Sequence, residues 1–165
     1  MSSTKQPSSF TFRPGKPEEY ETVLDIQRRA YRLKEAPLYG EDLPPFKETP
    51  ETIVREEEEG KKLYVGVHEG RVVGSMRIKP LEDGWIYWGR LSVDPDLQGQ
   101  GLGQAMVRAV EDAFPDADGY VLDCGERSEE NFHIYSKMGY RKTGEGFQVP
   151  GGPYVHVMKK PRGTE

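Results

Sequence analysis

Apolar residues recur along this chain with two periods, and each change of period marks a change of element. Phe10-Thr11-Phe12-Arg13 alternates and predicts a short strand, ended by Pro14-Gly15. From Glu18 to Leu33 the period lengthens. Tyr20, Val23, Leu24, Ile26, Gln27, Ala30 and Tyr31 form one stripe with charges opposite, the pattern of an amphipathic helix. Pro37 and Pro44-Pro45 then break the chain into a loop, Lys34 to Thr49. Thr49-Pro50-Glu51-Thr52 opens a second, short helix, with Thr49 as its cap and Pro50 at its first position. Alternation returns in Lys62 to His68, and Glu69-Gly70 turns that strand into Val72 to Ile78. Glu82-Asp83-Gly84 makes the next tight turn, into Trp85 to Val93.

Leu102, Ala105, Met106, Ala109, Val110 and Ala113 give a third helical stripe, and Tyr120 to Cys124 reads as a short buried strand. Ser128 caps a helix that runs to Met138 and is stopped by Gly139. Tyr140 to Thr143 and Tyr154 to Lys159 are predicted as the last strands, joined around Pro150-Gly151-Gly152-Pro153. This order predicts one α+β domain over residues 10–160, with a mostly antiparallel mixed sheet of about seven strands and about four helices. Its parallel step is the crossover from Trp85–Val93 to Tyr120–Cys124. Residues 1–9, rich in Ser, Thr and Pro, and residues 161–165 are expected to be disordered tails.

Chemistry concentrates between the third strand of the meander and the third helix, at Gln98-Gly99-Gln100-Gly101-Leu102-Gly103-Gln104. Glycines allow the backbone to turn sharply and to approach a ligand without a Cβ in the way. They also open a helix whose first amides lack internal partners and carry the positive end of the dipole, which together make an anion site suited to phosphate. A triphosphate-binding loop would end in Gly-Lys-Ser/Thr, whereas Gly103 is followed by Gln104-Ala105. A dinucleotide fold would place Gly-x-Gly-x-x-Gly in an early βαβ unit, and this segment has neither the spacing nor the place.

Composition narrows the partners. The 165 residues carry a net charge of −5, which argues against nucleic acid or an anionic membrane as the main partner. No apolar run approaches the length of a membrane span, and the polar start predicts no secretory leader. The one cysteine, Cys124, permits no intramolecular disulfide and fits a reducing cytoplasm. Three scattered histidines and that cysteine form no metal-ligand spacing, so no metal is expected.

The glycine segment resembles the Gln/Arg-x-x-Gly-x-Gly/Ala loop of the GCN5-related N-acetyltransferases, matched by Gln98, Gly101 and Gly103. A second segment, Asn131-Phe132-His133-Ile134-Tyr135-Ser136-Lys137-Met138-Gly139-Tyr140, is similar to the helix that ends in an aromatic and Gly-Phe or Gly-Tyr in that family. The resemblance spans about residues 10 to 160, and it implies that the fourth and fifth strands splay apart around acetyl-coenzyme A (acetyl-CoA). It implies that the amides of Gln98, Gly99, Gln100, Gly101, Leu102, Gly103 and Gln104 hold the pyrophosphate, and that the main chain of Leu91, Ser92 and Val93 lies along the pantetheine. Asn131 carries over as a further cofactor contact, and Tyr135 as the acid that protonates the departing thiolate.

Where many relatives place a glutamate on the fourth strand this chain has Tyr87, which is no base at neutral pH. Glu126, His133, His156 or an ordered water are left as alternatives. The resemblance places the acceptor against the Lys34–Thr49 loop. Glu35, Glu41, Asp42 and Glu48 with Tyr39 and Phe46 would suit a small cationic amine there. A non-catalytic coenzyme A sensor is the alternative. The resemblance also allows a homodimer, with no interface that the sequence identifies.

Overall fold

The computed structural model describes residues 9–163. Its centre is a seven-stranded sheet in the order β1-β2-β3-β4-β5-β7-β6. The strands are β1 (Phe10–Pro14), β2 (Lys62–His68), β3 (Arg71–Pro80), β4 (Trp85–Val93), β5 (Gly119–Gly125), β6 (Arg141–Gln148) and β7 (Tyr154–Pro161). The helices are α1 (Tyr20–Lys34), α2 (Ala36–Tyr39), α3 (Pro50–Glu58), α4 (Leu102–Ala113) and α5 (Glu129–Lys137). All neighbouring strands run antiparallel except β4 and β5, as the crossover through α4 requires.

Strand residues alternate between the two faces of the sheet, so each face gathers its own core. Met76, Ile78, Ile86, Trp88, Leu122, Cys124 and Met158 pack with Met106, Val107 and Val110 of α4, and Phe132, Tyr135 and Met138 close on them from around α5. On the opposite face Leu63 and Val65 pack with Tyr20, Val23 and Leu24 of α1 and Ile53 of α3. The molecule is therefore a helix–sheet–helix sandwich. Tyr87 and Asp123, neighbours in sequence of Trp88 and Leu122, belong to the α1 face.

Two features of β4 set its place in the molecule. Its parallel pairing with β5 stops early: Trp85 pairs with Gly119, Ile86 with Tyr120 and Tyr87 with Val121, and the strands then diverge. On its other side the register with β3 slips, since Ser75 pairs with Ser92 but Arg77 with Gly89. The extra residue is a β-bulge, and within it Arg90 has φ of 56°, a left-handed backbone costly for a side chain of this size. An ion pair holds it there, with Arg90 Nη2 2.9 Å from Glu48 Oε2.

Three sequence expectations change. There are five α-helices rather than about four, because the Lys34–Thr49 loop contains the single-turn α2 and a 3₁₀ turn at Pro44–Lys47. A turn this short has no periodicity to read. Tertiary contacts fix it: Tyr39 Oη meets Ser128 Oγ at 2.8 Å and accepts the Arg127 amide at 2.8 Å. Strand β6 runs to Gln148, not Thr143, and β7 includes Pro161, which the sequence assigns to the tail. Residues 1–8 and 164–165, most of both expected tails, lie outside the described residues.

Candidate active site

The divergence of β4 from β5 opens a cleft of about 720 Å³. Its floor is the unpaired part of β4, and its walls come from α1 and α2 on one face and from α4 and α5 on the other. At one end stands the glycine segment. Asp94 anchors its start, with Oδ1 accepting the Asp96 amide at 3.0 Å and Arg29 Nη1 at 3.0 Å, and Oδ2 accepting Arg71 Nη2 at 3.1 Å. Burial would raise the Asp94 carboxyl, but the Arg29 hydrogen bond, the Asp96 amide and the charges of Arg29 and Arg71 hold it below its ordinary value.

Beyond Asp94 the backbone takes the turn that glycine permits, with φ of 81° at Gly99 and 74° at Gly101. Gly101 is the N-cap of α4, and the Ala105 amide donates to its carbonyl at 3.0 Å. The amides of Leu102, Gly103 and Gln104 precede that bond and have no acceptor within the helix. A Cβ on Gly99 or Gly101 would meet nothing within 4 Å, and one on Gly103 only Val93 Cγ2 at 3.7 Å. The loop thus presents bare amides and open space at the positive end of a twelve-residue helix, a combination that fits a phosphate-bearing ligand.

Most of the residues singled out from sequence line this one cleft: Leu91, Ser92, Val93, Gln98, Gly99, Gly101, Leu102, Gly103, Gln104, Asn131 and Tyr135. Gln100 is exposed and does not line it. The three side chains offered as bases also lie outside its lining. Glu126 Oε1 sits 3.4 Å from His156 Nε2 beside β7, and His133 is exposed on α5. Among the loop acids only Glu35 reaches the cleft, together with Tyr39. Glu41 and Asp42 are exposed, Asp42 pairing with Lys47 at 2.9 Å, and Phe46 packs under Arg32. Glu48 is buried and fully engaged: besides Arg90 it accepts Arg77 Nη2 at 2.7 Å and Gln27 Nε2 at 2.9 Å.

Tyr135 comes to the cleft from α5, with its ring edge-on to Trp88 and Tyr140. Its hydroxyl makes no hydrogen bond within the described residues, and burial raises its phenol well above the ordinary tyrosine range, keeping it protonated. Cys124 lies nearby; burial first and the Glu35 charge second push its thiol up to about 12, so it is no nucleophile. Glu35 Oε1 accepts Ser128 Oγ at 3.2 Å and Oε2 accepts Asn131 Nδ2 at 3.5 Å, which ties the end of α1 to the start of α5. Burial raises the Glu35 carboxyl above its usual value against these bonds.

Several titratable groups at the cleft escape the sequence reading, and one is a carboxylate of β5. Asp123 lines it from β5, and Tyr87 Oη donates to Asp123 Oδ2 at 3.1 Å. The signal was available, since alternation places an aspartate between Leu122 and Cys124 on the face away from their core. Among the described residues no group of three or more His, Cys, Asp or Glu is placed to hold a metal ion. No helix there is long and apolar enough to cross a membrane.

This architecture is shared with solved N-acetyltransferases. PaiA N-acetyltransferase from Thermoplasma acidophilum, in complex with coenzyme A, superposes with a TM-score of 0.74 over 93% of this chain and 99% of that one, at 17% identity. Spermidine N-acetyltransferase from Vibrio cholerae, in complex with CoA and spermine, gives 0.73 over 96% and 98%, at 12% identity. The chain belongs to the acetyltransferase (GNAT) family, whose model matches residues 20–140. In sequence it is 34% identical to human N-acetyltransferase 8B over 96 residues, 53% of this chain and 42% of that protein. The match thus spans under half the length of that relative.

Proposed function

We propose that this chain transfers an acetyl group from acetyl-CoA to an amine acceptor, both bound in the cleft at once. The observation that carries the reading is the meeting of three groups along one opening: the bare amides at the start of α4, the main chain of Leu91–Val93 on the side where β5 has diverged, and the Tyr135 hydroxyl. The amides from Gly99 to Gln104 would hold the pyrophosphate of the cofactor, and β4 main chain would pair with its extended arm. The amine nitrogen attacks the thioester carbonyl carbon, the resulting tetrahedral centre collapses, and the carbon–sulfur bond breaks. Two protons leave the nitrogen in the course of transfer. One is matched by the proton that Tyr135 gives to the departing sulfur, and the other passes to solvent.

The acceptor in this reading is a small cationic amine. Glu35 and Asp123 supply carboxylates on the α1 side of the cleft, and Tyr31, Tyr39 and Tyr87 line it as aromatic walls.

Calorimetric titration with acetyl-CoA, beside a Gly101→Glu variant, tests the cofactor half of the reading. Micromolar binding that is lost in the variant supports it; a folded wild type that does not bind overturns it. A panel of spermidine, an aminoglycoside, a simple alkylamine and a lysine-containing peptide tests the acceptor half. Turnover confined to the peptide would replace the small amine with a polypeptide.

A further inference from the structure

The two protons that leave the acceptor need a taker on the acceptor's side of the sheet, and Tyr135 is on the other. Tyr135 enters the opening from α5, on the face of Trp88 and Cys124. Tyr87 and Asp123 enter from the opposite face, where α1 lies. Tyr87 closes the paired part of β4 and β5, and Asp123 sits two residues past the last pair, at the mouth of the divergence. Only one oxygen of Asp123 is used: Oδ2 accepts the Tyr87 hydroxyl, and Oδ1 has no hydrogen-bond partner among the described residues. Of the other carboxylates at the cleft, Glu35 has both oxygens engaged, Glu56 pairs with Arg77 at 3.2 Å and Glu130 with Lys34 at 3.5 Å.

The Tyr87–Asp123 contact depends on a local feature of β4. A Cβ on Gly89 would stand 2.6 Å from Tyr87 Oη and 3.1 Å from its Cζ. The missing side chain at Gly89 is what lets the ring lie along the strand and reach β5.

We propose that Asp123 is the general base of the transfer, accepting the first proton from an aliphatic ammonium acceptor, with Tyr87 as the positioning residue that holds its carboxylate. This rests on the acetyl-transfer reading and deepens it. The ammonium gives one proton to Asp123 Oδ1 and becomes the free amine that attacks the thioester carbon. Asp123 later releases that proton to water, and the second nitrogen proton balances the one Tyr135 gives to sulfur. Base and acid thus serve the two reactants from opposite faces of one opening.

The surroundings suit the role. From the α1 side Tyr31 and Arg90 face the pair, and Lys61 contributes a positive charge, its Nζ 5.6 Å from the Tyr87 ring centroid. From β7 the register partner is the uncharged Val157, with Lys159 two pairs away over Trp85. Burial raises the Asp123 carboxyl above its ordinary value, while the Tyr87 hydrogen bond and Lys61 lower it. A base moved toward neutrality holds a transferred proton better than an exposed aspartate does.

The test is acetyl transfer from acetyl-CoA to whichever panel amine the wild type acetylates fastest, followed as kcat and kcat/KM against pH. Asp123→Asn keeps the shape and an oxygen for Tyr87, and should lower kcat by about 10²- to 10⁴-fold with acetyl-CoA affinity unchanged. It should also abolish the acid limb of the profile. Tyr87→Phe and Gly89→Ala should move that limb upward, because the carboxylate loses its hydrogen bond. An Asp123→Asn protein with wild-type turnover, or one merely less stable with an unaltered profile, overturns the proposal and leaves the transfer reading standing. Should Asp123→Asn fail to fold, the limb in Tyr87→Phe decides, and an unmoved limb overturns it. A wild type that binds acetyl-CoA and acetylates no amine removes the transfer reading and this proposal together.

Discussion

The ring of Tyr135 stands edge-on to that of Trp88, with centroids 5.6 Å apart and planes at 84°. Trp88 is itself braced, since its Nε1 donates to Tyr140 Oη at 3.1 Å and that hydroxyl donates to Glu111 Oε2 at 2.9 Å. The proposed acid is therefore held by packing of its ring, independently of its hydroxyl. Tyr135→Phe keeps the ring and removes only the oxygen. It should lower kcat by about 10²-fold with little change in acetyl-CoA affinity or melting temperature. Steady-state kinetics beside calorimetry checks this, and loss of affinity together with unfolding would assign Tyr135 to the core alone.

Glu48 links α1, β3 and the bulge of β4 in one buried network through Gln27, Arg77 and Arg90. Neutralising it leaves two guanidinium groups short of their counter-charge in a poorly hydrated place. Glu48→Gln should cost about 3 kcal/mol, read from urea denaturation, and should loosen Arg90 in its left-handed conformation. A loss well below 1 kcal/mol would mean that Glu56, 3.2 Å from Arg77 Nε, compensates.

Asp94 gives the fold a dependence on pH. Its carboxyl is held below its ordinary value in the folded chain, so its stabilisation is present above the unfolded value and is lost as pH falls through the folded one. At neutral pH Asp94→Asn should be less stable by about 2 kcal/mol, the worth of hydrogen bonds to a charged group. That gap should narrow below about pH 4, the ordinary aspartate value. Chemical denaturation of both proteins across that range measures it, and a constant gap would contradict the assignment.

Cys124 should be chemically silent. Buried, with its thiol pushed up to about 12, it should resist iodoacetamide at mildly alkaline pH in the native state and react at once when unfolded. Fast native labelling would show that the cleft opens onto β5 far more than its packing indicates.

The stripe of α4, the hairpin of β2 and β3 and the turn into β4 were legible because each is set by neighbours in sequence. Of β6 only the start was: nearly the whole strand is exposed, and Gly144 and Gly146 interrupt any alternation beyond Thr143. The glycine loop was legible for the same local reason. Asp123 was not, because reading Tyr120–Cys124 as a buried run hid the alternation within it. Glu126, His133 and His156 stand close in sequence to a strand end or a helix, which carries no information about the direction they face. His156 and Glu126 show the difference: they meet each other beside β7 and not in the opening.

The early end of β4–β5 pairing gives the sheet a third edge. Two edges are ordinary, at β1 and β6 on the outside; this one runs through the middle, beyond Tyr87. Sheet edges invite any extended chain to add itself, and outer ones are usually blunted by charge or cover. Here the blunting is spatial, with α1 above the edge and α4 and α5 below it. The helices that wall the opening cover this edge from both faces, so the same gap that offers a linear ligand its backbone is shielded from pairing with a second sheet.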